Sequence, residues 1–327
     1  MYNYNVCKGN IYMTYSTTKR SAFSTSGGNR VFRPLLSASL ENLSDIKQQR
    51  YPLIVSPKLD GIRCIMRGGV AYSRNMKPIP NKFVQSQLQD LPDNIDGELI
   101  VGSPTEGAVF NRTSSGVMSI EGEPDFLFHV FDDCAHKFSY FVDRLKQLRT
   151  NENLVMHKRV FLVPHYEVHE YADMLLFEEK FIRDGYEGMM IRDPNGYYKE
   201  GRSTFNELIL LKYKRFTDGE AIVMSVEEGV HNTNGAQYDA VGAIMRSSKK
   251  EGLIPNGAVG CIIGKDVVTG AEMRIAPGRL TKEQRLEYFK SQDKIVGHII
   301  KYRAFEYGAV NTPRFPTFQG FRHNDDM

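Results

Sequence analysis

The sequence predicts an α+β protein, and two patterns along the chain carry that prediction. From residue 34 to residue 216, apolar runs of strand length alternate with segments whose apolar residues recur at helical spacing. Such a run is typical of antiparallel sheets with helices packed outside. From residue 217 to residue 327, short strands surround a single helix, which predicts a small β-barrel.

The elements of the first part are recognised by their apolar periodicity. Strands are predicted at 51–59, 62–73, 125–133, 187–193 and 208–216, with a turn between the first two. Helices are predicted at 81–91, 139–149 and 171–185, and the last of these stops at Gly185.

The second part has shorter strands and one well-marked helix. Strands are predicted at 219–229, 257–266, 270–277 and 295–308. The helix at 281–292 begins with Thr281 and Gln284, which have the spacing of a capping box. A polar insert at 231–257 separates the first two strands, is long for a hairpin loop, and contains Arg246, Lys249 and Lys250.

Composition excludes several classes of protein. No run of about 18 apolar residues occurs, so we expect no membrane partner. The four cysteines lie far apart, which argues against a disulfide framework or a structural zinc site and fits a reducing compartment. The net charge of +3 permits nucleic-acid binding without requiring it. We expect a cytoplasmic location, or a nuclear or viral-factory one for a eukaryotic virus.

Residues 1–33 differ from the rest of the chain. They contain five Lys or Arg and no Asp or Glu, together with many small polar residues. We predict a disordered basic tail. The same composition resembles an organellar transit peptide or a phosphate-binding arm, and both alternatives stay open.

The segment "SPKLDGIRC" (56–64) raises the question of chemistry. A free lysine with a pKa near 10.4 is neutral in roughly one molecule in 2,500 at pH 7, so a lysine nucleophile needs a lowered pKa. Arg63, Lys212, Lys214 and a bound Mg²⁺ could supply the cations that lower the pKa of Lys58. Taken alone, the pair of Lys58 and Asp60 is equally an ordinary surface ion pair.

Further polar residues fall at predicted strand ends in a workable order. Residues two apart on a strand share a face, so Lys212 and Lys214 would point together into a cleft and hold a phosphate. Glu98 and Glu187 could hold a ribose hydroxyl and a divalent metal, and Phe131 could stack on a base. Each has a structural alternative, but together they favour nucleotide chemistry.

These motifs resemble those of the ATP-dependent DNA ligases, members of the covalent nucleotidyltransferase superfamily, and especially the minimal chlorella-virus members. The resemblance runs from about Arg33 onward and includes "RPLLSASLENLSDI", "PKLDGIR", "SRNMKPI", "EGMMIRDPNGYYKEGRST", "LLKYKRF" and "PRFPTFQGFRHNDD". It implies a nucleotidyltransferase (adenylation) domain, with ATP-grasp-like antiparallel sheets and helices, over 34–216. It also implies an OB-fold domain over 217–327, in which 231–257 is a latch-like hairpin that closes around DNA.

The resemblance also implies residue roles. The catalytic residues would be Lys58, which carries AMP, with Asp60, Arg63, Lys212 and Lys214. The nucleotide and its metal would be bound by Ser56, Arg63, Arg74, Glu98 (ribose and metal), Phe131 (adenine), Glu187 (metal), Lys212, Lys214 (α-phosphate) and Arg314. Arg322 and Asp325 match the motif that orients pyrophosphate, and DNA contacts would come from Arg74, Arg246, Lys249 and Lys250. Many members have Glu where this chain has Ser56, so that adenine contact departs from the pattern.

The predicted function is a DNA ligase that uses ATP and Mg²⁺ or Mn²⁺, acts on nicked duplex DNA as a monomer, and seals 5′-phosphate/3′-hydroxyl nicks through a lysyl-AMP intermediate. An RNA-joining ligase, an mRNA-capping guanylyltransferase and a catalytically silent nick-binding protein are the alternatives. NAD⁺ is disfavoured as donor, because NAD⁺-dependent ligases carry a further N-terminal domain and usually a four-cysteine zinc module.

Overall fold

The computed structural model describes residues 32–305 and 313–322. The described strands are β1 (Leu35–Leu36), β2 (Ala38–Leu40), β3 (Leu53–Lys58), β4 (Ile62–Arg67), β5 (Val70–Tyr72), β6 (Ile95–Val101), β7 (Phe126–Asp133), β8 (Val160–Leu162), β9 (Tyr166–Val168), β10 (Gly188–Arg192), β11 (Gly201–Arg202), β12 (Leu211–Tyr213), β13 (Thr217–Asn232), β14 (Ala236–Tyr238), β15 (Ile244–Arg246), β16 (Leu253–Asp266), β17 (Glu272–Ile275), β18 (Ile299–Phe305) and β19 (Arg314–Phe321). The helices are α1 (Lys82–Leu88), α2 (Val109–Met118), α3 (Phe141–Thr150), α4 (Glu152–Val155), α5 (Tyr171–Arg183) and α6 (Lys282–Lys290).

Two five-stranded sheets occupy residues 38–213. The first sheet has the strand order β2-β12-β10-β3-β9, and the second sheet has the order β5-β4-β6-β7-β8. Helix α5 packs on the first sheet, and α1, α2 and α3 contact the second. Most neighbouring strands are antiparallel, as predicted, but β2 with β12 and β7 with β8 are parallel pairs at the sheet edges.

A third sheet begins at Thr217 and has the order β17-β16-β13-β18-β19. Its apolar face and the partly buried Tyr288 and Phe289 of α6 form a separate core. The predicted barrel is not closed within the described ranges. Among residues 217–305 and 313–322, the two edges of the sheet meet at an isolated bridge between Ala276 and Thr317, one residue after the end of β17.

The helix predictions for 81–91, 139–149 and 171–185 are confirmed within a few residues at each end. The capping box is also confirmed, since Thr281 and Gln284 exchange side-chain hydrogen bonds with each other's backbone N–H. The capping box therefore sets the first turn of α6, as its spacing alone indicated.

Several element predictions were wrong. The segment 62–73 is two strands, because Gly68 and Gly69 adopt positive φ and turn the chain. The strands flanking the insert are longer than predicted, with 16 residues in β13 and 14 in β16. Helix α2 was not predicted, because its sequence contains Thr, two Ser and Gly, which are weak helix formers.

The predicted N-terminal tail is only partly tested, since residues 1–31 lie outside the described residues. Phe32, which the sequence assigned to the tail, stacks on Tyr198 with ring centroids 6.3 Å apart and lies under the guanidinium of Arg67. No helix in the described part of the chain is long and apolar enough to cross a membrane.

Candidate active site

A cavity of about 590 Å³ lies between the first and second sheets. Eight of the predicted site residues line it: Ser56, Lys58, Arg63, Arg74, Glu98, Phe131, Lys212 and Lys214. The first sheet supplies Ser56, Lys58 and Lys212, and Lys214 directly follows its strand β12. The second sheet supplies Arg63, Glu98 and Phe131. The volume falls within the range of about 300–1,000 Å³ that small-molecule pockets occupy.

Lys58 ends β3, and the neighbouring strand β10 brings an acidic partner to it. Gly188 is the ladder partner of Lys58, so Glu187 directly precedes the pairing position. The Glu187 carboxylate contacts Lys58 Nζ, which also donates to the Leu59 carbonyl at 3.0 Å. Gly188 is required here, because a Cβ atom would lie 2.2 Å from the Tyr213 carbonyl oxygen of β12.

The pKa of Lys58 is lowered, but chiefly for a different reason than the sequence indicated. Burial is the largest cause, Glu98 and Asp60 act against it, and Arg314 is the cation that adds to it. The side chain is only 16% exposed. The predicted cationic field from Arg63, Lys212 and Lys214 is therefore not the main cause of the lowered pKa.

Lys212 and Lys214 reach the cavity together, as the strand alternation predicted. Leu211 and Tyr213 pack on the opposite side, in the core of the first sheet. Burial and then Lys58 lower the pKa of Lys214, to about 7, and the pKa of Lys212. Lys214 Nζ also contacts the Glu187 carboxylate, which favours the charged form, so one carboxylate bridges Lys58 and Lys214.

Arg63 is not a free cation. Its Nε and Nη2 donate to the buried Asp96 carboxylate at 2.5 and 2.6 Å, and Nη2 also donates to the Leu35 carbonyl at 3.3 Å. Its guanidinium lies 4.7 Å from the ring centre of Phe131. Asp96 thus neutralises Arg63 and holds it against the predicted base platform.

Glu98 and Glu187 are the predicted magnesium ligands. Among the described residues, no three His, Cys, Asp or Glu side chains are close enough to form a metal cluster. Mg²⁺ needs only one or two carboxylates when phosphate oxygens and water complete its shell. Glu98 lines the cavity and accepts from the Gly61 N–H at 3.1 Å, and burial raises its pKa. Glu98 therefore fits as a carboxylate ligand of a Mg²⁺ bound together with a phosphate. Glu187 does not line the cavity, since its carboxylate pairs with Lys58 and Lys214, and its role as a metal ligand stays a prediction.

The C-terminal motif reaches the same region. Arg314 Nη1, at the start of β19, donates to the Asp60 carboxylate at 2.9 Å. Neither residue lines the cavity, but both influence the pKa of Lys58. Arg322 forms an ion pair with Glu220, away from the cavity, and Asp325 lies outside the described residues.

The cavity is also lined by three basic side chains for which the sequence predicted no role: Arg192, Arg202 and His165. Arg202 donates to the Ser37 carbonyl at 2.7 Å. The sequence could have indicated Arg202 as a site residue, because it lies in "GRST", at the end of a motif that carries the family resemblance. Arg192 had the same signal, because it lies in "EGMMIR" of that motif, whereas His165 lies in none of the quoted motifs.

The predicted DNA-binding residues of the insert lie apart from the cavity. Residues 231–257 form a hairpin whose inner strands β14 and β15 pair Ala236 with Arg246. Arg246, Lys249 and Lys250 are exposed on it. This geometry leaves their side chains available to a phosphate backbone, and their role stays a prediction.

A partly buried lysine that shares a cavity with a carboxylate, further lysines and an aromatic ring defines a nucleotidyltransferase type of site. The profile of the ATP-dependent DNA ligase domain matches residues 34–214. Since that match covers more than half of the sequence, the chain belongs to the ATP-dependent DNA ligase family.

Individual relatives agree with this family. DNA ligase of African swine fever virus is 27% identical over 192 residues, 54% of this chain and 45% of that protein. The chain thus spans about half the length of the curated relatives it matches. The crystal structure of chlorella virus DNA ligase-adenylate is 30% identical, with a TM-score of 0.51, and the match covers 89% of this chain and 100% of that one. A Lig E DNA ligase has a TM-score of 0.68 at 23% identity, with 89% and 100% coverage, and shows the shared fold alone.

Proposed function

We propose that this chain is an ATP-dependent DNA ligase that seals 5′-phosphate/3′-hydroxyl nicks in duplex DNA. The observation that carries the proposal is the convergence of Lys58, Lys212 and Lys214 from the first sheet with Glu98 and Phe131 from the second on one cavity. All these groups come from one chain, which supports action as a monomer.

In the first step, Lys58 Nζ attacks the α-phosphorus of ATP. A bond forms between Nζ and phosphorus, the bond to the pyrophosphate oxygen breaks, and Nζ loses its proton. The lowered pKa of Lys58 increases the neutral, nucleophilic fraction. Lys212 and Lys214 line the cavity where they can offset the charge that develops on the phosphate.

The next two steps consume the lysyl-AMP. A 5′-phosphate oxygen of the nick attacks the AMP phosphorus, and the bond to Lys58 breaks. The 3′-hydroxyl then attacks the activated 5′-phosphate, loses its proton and expels AMP, so a phosphodiester bond is formed. Arg74 and Arg202, which line the cavity, suit the 5′-phosphate.

Glu98, which lines the cavity, would hold a magnesium ion, and Glu187 would join it on release from the two lysines. When bound, the ion would offset negative charge on phosphate oxygens. Because Glu187 contacts Lys58 and Lys214 in this structure, its carboxylate is also the group that keeps the two ammonium ions together.

We further propose that 34–216 and 217–327 act as an adenylation domain and an OB-type domain. The change from the first two sheets to the third at Thr217 supports this division. The bridge between Ala276 and Thr317, which brings the sheet edges together, is what an incompletely closed barrel would show. The hairpin at 231–257 would contact duplex DNA as a latch.

The test is to offer α-phosphate-labelled ATP, GTP or NAD⁺ to the protein, and then nicked duplexes with DNA or RNA on each side. We expect covalent label from ATP, no label in Lys58→Ala, and sealing of the all-DNA nick. A preference for RNA nicks would indicate the RNA-joining alternative. Normal labelling of Lys58→Ala, or binding of nicks without any labelling by the unaltered protein, would contradict the proposal.

A further inference from the structure

Ser56, a residue of the predicted nucleotide site, and His165 both line the cavity. Strand β9 pairs antiparallel with β3, and the last pair of this register joins Val55 to Tyr166. Continued by one position beyond the end of β9, the register would place His165 across from Ser56. Residues directly opposite in a ladder share a face of the sheet.

The hydrogen bonding of the ring defines its tautomer. His165 Nδ1 lies 2.9 Å from the Val163 carbonyl oxygen, which can only accept, so Nδ1 carries the proton. Nε2 is then a lone-pair acceptor, and it is buried without a partner in residues 32–305 and 313–322. The ring is fixed edge-to-face against Phe141, with centroids 5.4 Å apart.

The surroundings keep the imidazole neutral. Burial and then the positive charge of Arg192 lower the pKa of His165 to about 3. Arg192 also lines the cavity and is tied to the buried Asp132. A buried acceptor without a donor is unfavourable, so this position favours a ligand that brings an N–H group.

The neighbouring residues indicate which part of a ligand lies here. Val163 lines the cavity two residues before His165 and belongs to the apolar cluster against which Phe131 packs. Phe131 is predicted to stack on the base. The lysines that suit phosphates are Lys58 of β3, Lys212 of β12 and Lys214, which directly follows β12. A base stacked near Phe131 would turn one edge toward Ser56 and His165.

We propose that His165 Nε2 accepts a hydrogen bond from the 6-amino group of adenine and so helps the site select ATP over GTP, an assignment that rests on the proposed function. Adenine has an amino group at this position, and guanine has a carbonyl oxygen, which would face the imidazole lone pair. The Ser56 hydroxyl can donate or accept, so it cannot make this distinction by itself.

The experiment compares nucleotides that differ at the 6-position. The rate of covalent lysine labelling is measured with ATP, with GTP, and with purine riboside triphosphate, which lacks the 6-amino group. The proteins are the unaltered chain, His165→Leu, His165→Gln and the matched control His129→Leu. His129 is also buried, and its Nε2 has no partner in the part of the chain that the structure describes, but it does not line the cavity.

In the unaltered protein and in His129→Leu, we expect kcat/KM for ATP to exceed that for purine riboside triphosphate by about tenfold, the equivalent of one hydrogen bond. In His165→Leu this preference should fall to about one, because the acceptor is gone. In His165→Gln, whose amide offers an acceptor and a donor, the preference for ATP over GTP should fall while ATP labelling persists.

The outcomes separate the assignment from the function on which it rests. If His165→Leu keeps the tenfold preference for the 6-amino group, or if His129→Leu loses it to the same extent, the assignment is wrong although the ligase function stands. Should His165→Leu fail to fold, unchanged nucleotide preference in His165→Gln would overturn the assignment. If the unaltered protein takes label from no nucleotide, the proposed function and this assignment both fail.

Discussion

At the scale of single residues, burial and charge act on the same lysine in opposite directions. Burial lowers the pKa of Lys58, Glu98 and Asp60 raise it, and Arg314 lowers it. The balance favours a lowered pKa because desolvation of an ammonium ion is the largest of these effects. Burial thus favours the neutral, nucleophilic form of Lys58, whereas its contact with the Glu187 carboxylate favours the ammonium form.

The first prediction concerns the pH dependence of lysine adenylation. Because the pKa of Lys58 lies below its ordinary value of 10.5, the labelling rate should rise with pH and level off before that value is reached. Arg314→Ala removes a cation and so raises the pKa of Lys58, which should move the increase in labelling rate to higher pH. Asp60→Asn removes an anion and so lowers this pKa, which should move the increase to lower pH. Initial rates of lysyl-AMP formation between about pH 6 and pH 10 measure both shifts. Shifts in one common direction would contradict the electrostatic account.

The second prediction concerns a buried ion cluster behind Phe131. Asp132 is fully buried, accepts from Arg144 Nε at 2.7 Å and contacts Arg192. Asp132→Asn leaves two buried guanidinium groups without a counter-charge, so the free energy of unfolding should fall by about 3 kcal/mol or more. Equilibrium unfolding in urea measures this change in the free energy of unfolding.

The matched control for that prediction is Asp125→Asn. Asp125 also pairs with an arginine, Arg159, but its side chain is 94% exposed. Solvent screens such a pair, so the free energy of unfolding should change by less than about 1 kcal/mol. Equal losses in the two variants would show that the burial of Asp132 is not the cause.

At the scale of elements, the long strands β13 and β16 explain how an insert can project without disturbing the third sheet. They pair from Ala221 with Asp266 to Asn232 with Leu253, and three register shifts interrupt the ladder. Such irregularities bend a strand pair and increase its twist. The ladder therefore carries the exposed hairpin away from the core as a continuation of the sheet.

The third prediction removes this hairpin. Since Asn232 and Leu253 are ladder partners, residues 233–252 can be replaced by a two-residue Asn-Gly turn that keeps the register. Lysine adenylation should persist, because no residue of the insert lines the cavity. Nick binding and sealing should fall by at least about tenfold through lost phosphate contacts, and binding by the parent should depend more steeply on salt.

Gel-shift titrations at two salt concentrations and single-turnover sealing measure these effects. The control variant replaces Arg246, Lys249 and Lys250 by Gln, which keeps the hairpin but removes its charge. If the deletion protein binds and seals nicks like the parent, the latch interpretation fails.

At the scale of the whole molecule, the third sheet and the lysine are connected through one ion pair. Arg314 of β19 reaches Asp60, two residues after Lys58. Entry of a duplex to the same lysine requires space beside it, so we expect this contact to form for lysine adenylation and to break before the nick binds.

The fourth prediction separates the reaction steps on that basis. Arg314→Ala should slow lysine adenylation by at least about tenfold, yet leave sealing of a pre-adenylated nick much less affected. A point variant is preferable to truncation, because β19 pairs with β18 and buries Phe318 in the third core. The matched control is Arg303→Ala, which breaks an exposed ion pair with Asp218. Equal slowing of both steps in Arg314→Ala would indicate a purely structural role.

The sequence by itself determined the elements whose signals are local. Apolar periodicity located α1, α3 and α5, and the spacing of Thr281 and Gln284 located the start of α6. The alternation of Lys212 and Lys214 predicted that both side chains reach the cavity, because facing in a strand depends only on neighbouring residues. Helix α2 has no such signal, since its buried face contains Thr113 between two valines.

Only the tertiary structure decided which charges meet. The pairing of Arg63 with Asp96, of Glu187 with Lys58 and Lys214, and of Arg314 with Asp60 joins residues that are distant in sequence. The degree of burial that lowers the pKa of Lys58 likewise depends on how the sheets pack. So does the position of His165 Nε2, which has no hydrogen-bond partner among residues 32–305 and 313–322. Local residue patterns carry no information on desolvation or on contacts across sheets, so these properties became visible only in the folded chain.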